Sequence, residues 1–256
     1  MNVLHISDIH YRSNYPGGNP YEDMLSSMDS SFERMKTVIT QVMTVSSIDL
    51  IVITGDICDE GSASDYALLK KYFDSLAIPV IVTIGNHDIR SAFYRGWCRE
   101  EKDEPYLMTM RMNGINWISF DNSLHGKANG YVEETRLLWL EQQLQKNSSS
   151  IVLMHHQFEA QPGIPCLDDK DSLIKVLSKY KPLAVLNGHT HWLKDGKVEG
   201  IPFFTAPSLS FRAVNEEDGS IVFSQSYGYR IYNVNENGVF PAGGMEVQEK
   251  ELAVWK

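Results

Sequence analysis

Six short apolar runs constrain this chain most: residues 3–6, 50–53, 80–84, 115–120, 151–154 and 183–186. Most run continuously instead of alternating with polar positions, the pattern of strands covered on both faces. Between them, residues 32–45, 66–76, 135–144 and 172–180 place apolar side chains at three- and four-residue spacing, as Met35, Val38, Ile39, Val42 and Met43 do. Strand alternating with helix predicts an α/β core. After Pro202 the texture changes. Residues 203–205, 221–223, 229–234 and 239–247 read as strands separated by Gly, Asn and Pro, with no helical pattern between them. They predict a second, more antiparallel sheet at the C-terminal end. No linker-like tract or repeat interrupts the chain, so residues 1–256 are expected to form one domain. Polar, Gly- and Pro-containing residues 11–30 read as a long loop of functional length.

Charge excludes some partners. Thirty-three acidic residues against 23 Lys and Arg leave a net charge of −10. Such a chain lacks the cationic footprint needed to hold long nucleic acid or an anionic membrane. The three cysteines, Cys58, Cys98 and Cys166, form no CxxC pair and read as reduced thiols. The N-terminus MNVLHISDIH has no basic leader or long apolar core, and no window has the roughly 18 apolar residues of a membrane span. A soluble, cytoplasmic protein is the expectation. The C-terminal strands offer an edge that leaves a homo-oligomer open.

The chemistry lies where the runs end. Residues 3–6 lead into Ser7-Asp8-Ile9-His10, and residues 50–53 into Thr54-Gly55-Asp56. Residues 80–84 lead into Gly85-Asn86-His87-Asp88, 151–154 into His155-His156, and 183–186 into Asn187-Gly188-His189-Thr190-His191. Ligands of open α/β sheets bind beyond the carboxyl ends of strands. Five strand ends would thus deliver Asp, His, Asp, Asn and three His to one crevice. Imidazole with carboxylate suits zinc, iron, manganese or nickel, and the absence of Cys argues against a structural zinc site. Seven ligands exceed one tetrahedral ion and suit two ions sharing a carboxylate, a pair able to clamp a phosphoryl group. Gly55 and Gly188 fit tight turns where a side chain would obstruct.

In order and spacing these residues match a known pattern: Asp8-Ile9-His10, Gly55-Asp56, Gly85-Asn86-His87-Asp88, His155 and Gly188-His189-Thr190-His191. The sequence resembles the calcineurin-like metallophosphoesterase superfamily, and within it the class III cyclic-nucleotide phosphodiesterase group. The resemblance implies a four-layer αββα double β-sandwich, with mixed sheets flanked by helices. It implies two divalent or trivalent ions (iron, manganese or zinc), one held by Asp8, His10 and His191, the other by Asn86, His155 and His189, with Asp56 bridging. His155 is chosen over His156 because the family's ligand directly ends the strand. His156 then faces the substrate or packs behind the site.

The implied reaction is attack on phosphorus by a hydroxide shared between the metals. His87 would stabilise phosphoryl oxygens or protonate the leaving group, with Asn86, His87 and His156 against the substrate. Asp88 would orient His87 or close the local turn. Asp59 would support a ligand or cap the following turn, while Asp49, Asp65 and Asp74 read as solvated surface. The expected substrate is a small phosphodiester of cyclic-nucleotide or glycerophosphodiester type. Alternatives are a phosphomonoesterase, a nucleotide pyrophosphohydrolase or a silent protein-binding scaffold, the last opposed by the intact ligand set. Residues 206–211 and 227–230 also fit the group, whereas Gln157-Phe158 stand where many members carry prolines.

Specificity is expected from residues 11–30, 89–106, 157–168 and 211–218. There Tyr15, Tyr21, Tyr94, Trp97 and Phe211, with nearby Trp192, stack a base or simply pack. Arg90, Arg95 and Arg212 hold a distal phosphate or decorate the surface.

Overall fold

A computed structural model describes residues 1–158, 166–168 and 170–255. The first half of the chain forms β1 (Asn2–Ile6), α1 (Pro20–Ser26), α2 (Ser31–Val45), β2 (Leu50–Thr54), α3 (Ala63–Ser75) and β3 (Val80–Thr83). A short α4 (Arg90–Phe93) runs into a π-helical turn, Tyr94–Cys98, and is followed by β4 (Leu107–Met112) and β5 (Ile115–Phe120). Then come α5 (Glu134–Lys146), β6 (Ser150–Leu153), α6 (Lys170–Tyr180), β7 (Ala184–Asn187), β8 (Lys194–Val198) and β9 (Ile201–Thr205). The chain closes with β10 (Phe211–Asn215), β11 (Ile221–Asn235) and β12 (Gly238–Trp255).

Two six-stranded mixed sheets result. One runs β10-β11-β1-β2-β3, with β12 also pairing β11; the other runs β4-β5-β6-β7-β9-β8. Strands β1, β2 and β3 are parallel, as are β5, β6, β7 and β9. The alternation of side chains across each strand explains why the runs are apolar throughout. From β1 and β2, Leu4, Ile6, Ile51 and Ile53 face Met35, Val38, Ile39 and Val42 of α2 and Leu69 and Phe73 of α3. Their neighbours Val3, Leu50 and Val52 pack instead on Trp117, Ile151, Leu153 and Leu186 of the second sheet. On its far side Ile118, Val152 and Val185 meet Leu140 and Leu144 of α5 and Leu173 and Leu177 of α6. The layers are therefore helix, sheet, sheet, helix.

The C-terminal strands differ from the sequence expectation. They form no sheet of their own. β11 joins the first sheet antiparallel to β1, with Asn2 opposite Asn233 and His5 opposite Arg230, while β9 and β8 extend the second. Each thereby satisfies an edge whose backbone groups would otherwise lie unpaired. Residues 221–223 and 229–234, read as two strands, are one, because β12 pairs along β11 through the polar stretch between them. The ribbon of β10, β11 and β12 runs past the end of β1 and stands beside the ends of the parallel strands.

Two further differences come from local polar chemistry. The segment 11–30 contains α1, which starts on Pro20 and is capped by Asn19, whose Oδ1 accepts from the Glu22 N–H at 2.9 Å. Asp65 is buried, not solvated. Its carboxylate closes the N-terminus of α3 by accepting from Ser62 N and also binds Ser13 N. Most of the 157–168 specificity segment lies outside the described residues.

Candidate metal centre

The ends of β1, β2, β3, β6 and β7 meet at one place, and the backbone there departs from ordinary geometry. Asp8, His10, Asp56, His189 and His191 all have left-handed φ, between 46° and 70°. A non-glycine residue in that region costs about 1 kcal/mol or more. Five such residues among seven candidate ligands indicate strain spent on aiming side chains. The turns are locked together by Asp8 N donating to Gly55 O at 3.1 Å and His10 N to Asp56 O at 2.9 Å. Gly55 itself has φ +92°, and a Cβ there would lie 2.5 Å from His155 Nδ1. At Gly188 a Cβ would stand 2.0 Å from Ser7 Oγ and 2.6 Å from an Asp8 carboxylate oxygen. Both turns admit glycine because the site approaches their backbone.

The side chains converge. His191 Nε2 lies 3.4 Å from Asp8 Oδ1 and 3.2 Å from His10 Nε2. On the other side His155 Nε2 lies 3.3 Å from His189 Nδ1. Between the groups, Asp56 Oδ2 is 3.2 Å from His155 Nε2 and 3.5 Å from His10 Nε2. The Oδ1 atom of Asn86 is buried and has no hydrogen-bond partner among the described residues.

Outer oxygens orient the rings. His155 Nδ1 donates to Thr54 O at 2.7 Å, His191 Nδ1 to Phe211 O at 2.6 Å, and His10 Nδ1 to Asp59 Oδ1 at 3.3 Å. With hydrogen on Nδ1, each ring turns its Nε2 inward, and deprotonation there gives the tautomer a metal requires. His10 and His191 then oppose two lone pairs at 3.2 Å. A cation between the groups would relieve that repulsion and give Asn86 Oδ1 a partner. The donor set of imidazole, carboxylate and amide oxygen fits a pair of metal ions.

Electrostatics agree. Burial opposes the charge on Asp56, yet the imidazoles of His155, His87 and His10 hold its carboxyl well below the usual range. Burial likewise disfavours an imidazolium at His87, but Asp56 and the hydrogen bond its ring donates to Asp59 push it up to about 9. His189 is driven down to about 3 by burial and by His155. Side-chain exposure differs across the site: His87 is 31% exposed, whereas Asp8 and His155 are fully buried.

Asp88, His156, Tyr94 and Trp97 take the second of the two alternatives that the sequence left open, and Arg90 takes neither of its own. Asp88 does not hold His87. Its carboxylate accepts from the backbone of Gly85, Ile57 and Cys58 and from the Tyr66 hydroxyl, closing the Gly85–Asp88 turn. Asp59 holds His87 instead, with Oδ1 2.7 Å from Nδ1. His156 is fully buried rather than open to substrate, its Nε2 3.2 Å from Ala128 O and its ring packed on His189. Arg90 is tied to Asp121 at 2.9 Å and to Ser123 O, and Tyr94 and Trp97 lie in the helix-side core.

Sequence reasoning missed Asn122. Its Oδ1 accepts from the N–H groups of His155 and His156, and its Nδ2 donates to His156 O, clamping the histidine pair. The signal was available: the run at 115–120 also ends in a polar pair, Asp121-Asn122. Ser208 and Ser210, whose hydroxyls bond Asp8 O, lie in the 206–211 stretch that fits the group, though no role is read for them.

Comparison with known proteins follows the same lines. A probable cyclic nucleotide phosphodiesterase of Xenorhabdus bovienii is 23% identical over 243 residues, covering 90% of this chain and 94% of that protein. A probable glycerophosphodiester phosphodiesterase of Arcobacter nitrofigilis is 33% identical over 175 residues, covering 63% of each. In three dimensions, a dimetal phosphatase from Danio rerio matches with a TM-score of 0.60 at 14% identity, over 96% of this chain and 98% of that one, a likeness of fold. The model of the calcineurin-like phosphoesterases matches residues 1–193, which include every strand end that carries a candidate ligand. This chain therefore belongs to the calcineurin-like phosphoesterase family.

Proposed function

We propose that this phosphoesterase is a dinuclear-metal phosphodiesterase acting on a small diester of cyclic-nucleotide or glycerophosphodiester type. The observation that carries the reading is the place of Asp56, whose Oδ2 faces His155 Nε2 at 3.2 Å and His10 Nε2 at 3.5 Å. One carboxylate thus addresses both ligand groups. In this reading Asp8, His10 and His191 hold one ion, Asn86, His155 and His189 the other, and Asp56 both. When bound, the ions supply Lewis-acid charge at the phosphoryl oxygens and a nucleophile at neutral pH. Iron, manganese and zinc all accept these donors.

The chain's own residues do the rest. His87 is bonded through Nδ1 to Asp59, which leaves Nε2 to face the substrate. Held as an imidazolium, it stabilises charge on the phosphoryl group and passes a proton to the leaving oxygen. Asp88 acts through the turn that carries Asn86 and His87. The diester preference draws support from the names of the two relatives, and the net charge of −10 favours a small substrate over long nucleic acid. We read residues 1–256 as one domain because β11 and β12, beyond the family match, pair into the sheet that carries β1.

The test is turnover of bis-p-nitrophenyl phosphate against p-nitrophenyl phosphate after reconstitution with Mn²⁺, Zn²⁺ or Fe²⁺. Faster hydrolysis of the diester is expected. A clear preference for the monoester would overturn the reading in favour of a phosphomonoesterase.

A further inference from the structure

Four of the five tryptophans belong to apolar clusters: Trp97 in the helix-side core of the first sheet, Trp117 between the sheets, Trp139 against the α5–α6 core, and Trp255 against Phe223. Trp192 belongs to none among the described residues. It is half-buried, and it directly follows the candidate ligand His191. Its ring partner is a cation, the Arg212 guanidinium, whose central carbon lies 4.2 Å from the ring centroid.

Arg212 is held in turn. Its guanidinium bonds Gln248 and lies 3.5 Å from Glu246, both on β12. The two members of the pair follow, along the chain, two residues that meet at the metal centre. His191 donates to Phe211 O at 2.6 Å, and Trp192 and Arg212 follow these two residues directly. Phe211 meanwhile packs on the rings of His10 and His191. The indole joins no apolar cluster among the described residues, and its plane lies against a guanidinium that is itself bonded to β12. That pre-ordering removes much of the entropy cost of stacking a second planar group. Glu246 and Gln248 hold the Arg212 guanidinium where it meets the ring.

We infer that Trp192, braced by Arg212, is a stacking platform for the base of a nucleoside-bearing diester, so that nucleotides are the substrate class. The inference rests on the phosphodiesterase reading. A base on an aromatic platform gains binding that a sugar phosphate lacks, about tenfold in affinity.

The experiment is calorimetric titration of the Mn²⁺-reconstituted protein with adenosine 5′-monophosphate and with ribose 5-phosphate. The nucleotide is expected to bind about tenfold tighter. Trp192→Ala is expected to abolish that advantage while ribose 5-phosphate still binds, and Trp192→Phe to keep most of it. Should Trp192→Ala fail to fold, Trp192→Leu keeps the bulk without the π face and must lose the advantage likewise. Equal binding of the two ligands by the unmodified protein, or an advantage that survives loss of the indole, overturns the platform. Base-selective binding without any diester hydrolysis would leave the platform standing and remove the phosphodiesterase reading instead.

Discussion

His87 Nδ1 lies 2.7 Å from Asp59 Oδ1, the oxygen that His10 Nδ1 and the Tyr21 hydroxyl also approach, at 3.3 and 3.1 Å. One buried carboxylate oxygen thus orients a candidate ligand and the half-buried histidine beside it. Asp59→Asn keeps the shape but removes the charge that both rings lean on. Turnover is expected to fall by about 10- to 100-fold, the range typical of lost outer partners. Steady-state kinetics check this, and an Asp59→Asn enzyme within twofold of the parent would refute the arrangement.

Tyr21 reaches the same oxygen from α1, with its ring packed near Phe211 and Trp255. Tyr21→Phe removes one hydrogen bond from an acceptor that keeps two others, a loss of about 1 kcal/mol. A drop of no more than about fivefold in kcat is expected, with KM little changed. A loss as large as that of Asp59→Asn would mean that the hydroxyl itself meets the substrate.

Asn86→Ala separates folding from metal binding. The Oδ1 atom makes no hydrogen bond among the described residues, so the metal-free protein should melt at nearly the same temperature. Metal content after reconstitution is expected to fall from two equivalents toward one, with activity falling alongside. Full metal content by elemental analysis would remove Asn86 from the ligand set.

Gly188→Ala probes the strained turn from the other direction. The new methyl carbon would stand 2.0 Å from Ser7 Oγ and 2.6 Å from Asp8, so Asp8 must move. Destabilisation of about 1–3 kcal/mol is expected, with loss of bound metal. Thermal melts and metal analysis together decide; a variant that binds metal normally would show that the turn can relax.

The framework was readable because strand and helix periodicity are local properties. Apolar runs at residues 3–6 and 50–53 lie within β1 and β2, and each ends in the ligand type that the fold then delivers to the centre. What escaped was pairing between distant segments. Residues 221–223 and 229–234 are separated by the polar stretch 224–228, and only β12 alongside turns them into one strand. Asn19-Pro20 carries a helix start that the polar surroundings of residues 11–30 obscured.

By itself, the sequence determined the α/β alternation, the order of the strand-end motifs and the set of candidate donors, all of which depend on neighbours along the chain. Tertiary structure alone decided which carboxylate holds His87. Asp88 is adjacent in sequence but spends its oxygens on the backbone of the turn, while Asp59 arrives from the loop after β2 at 2.7 Å. It also decided that His156 turns inward beneath Gly130, and that Trp192 meets Arg212 from a strand twenty residues later. The reason is physical: a hydrogen bond or a stacked pair depends on position to within a few tenths of an ångström, and residues far apart in the chain acquire that precision only when the sheets have packed.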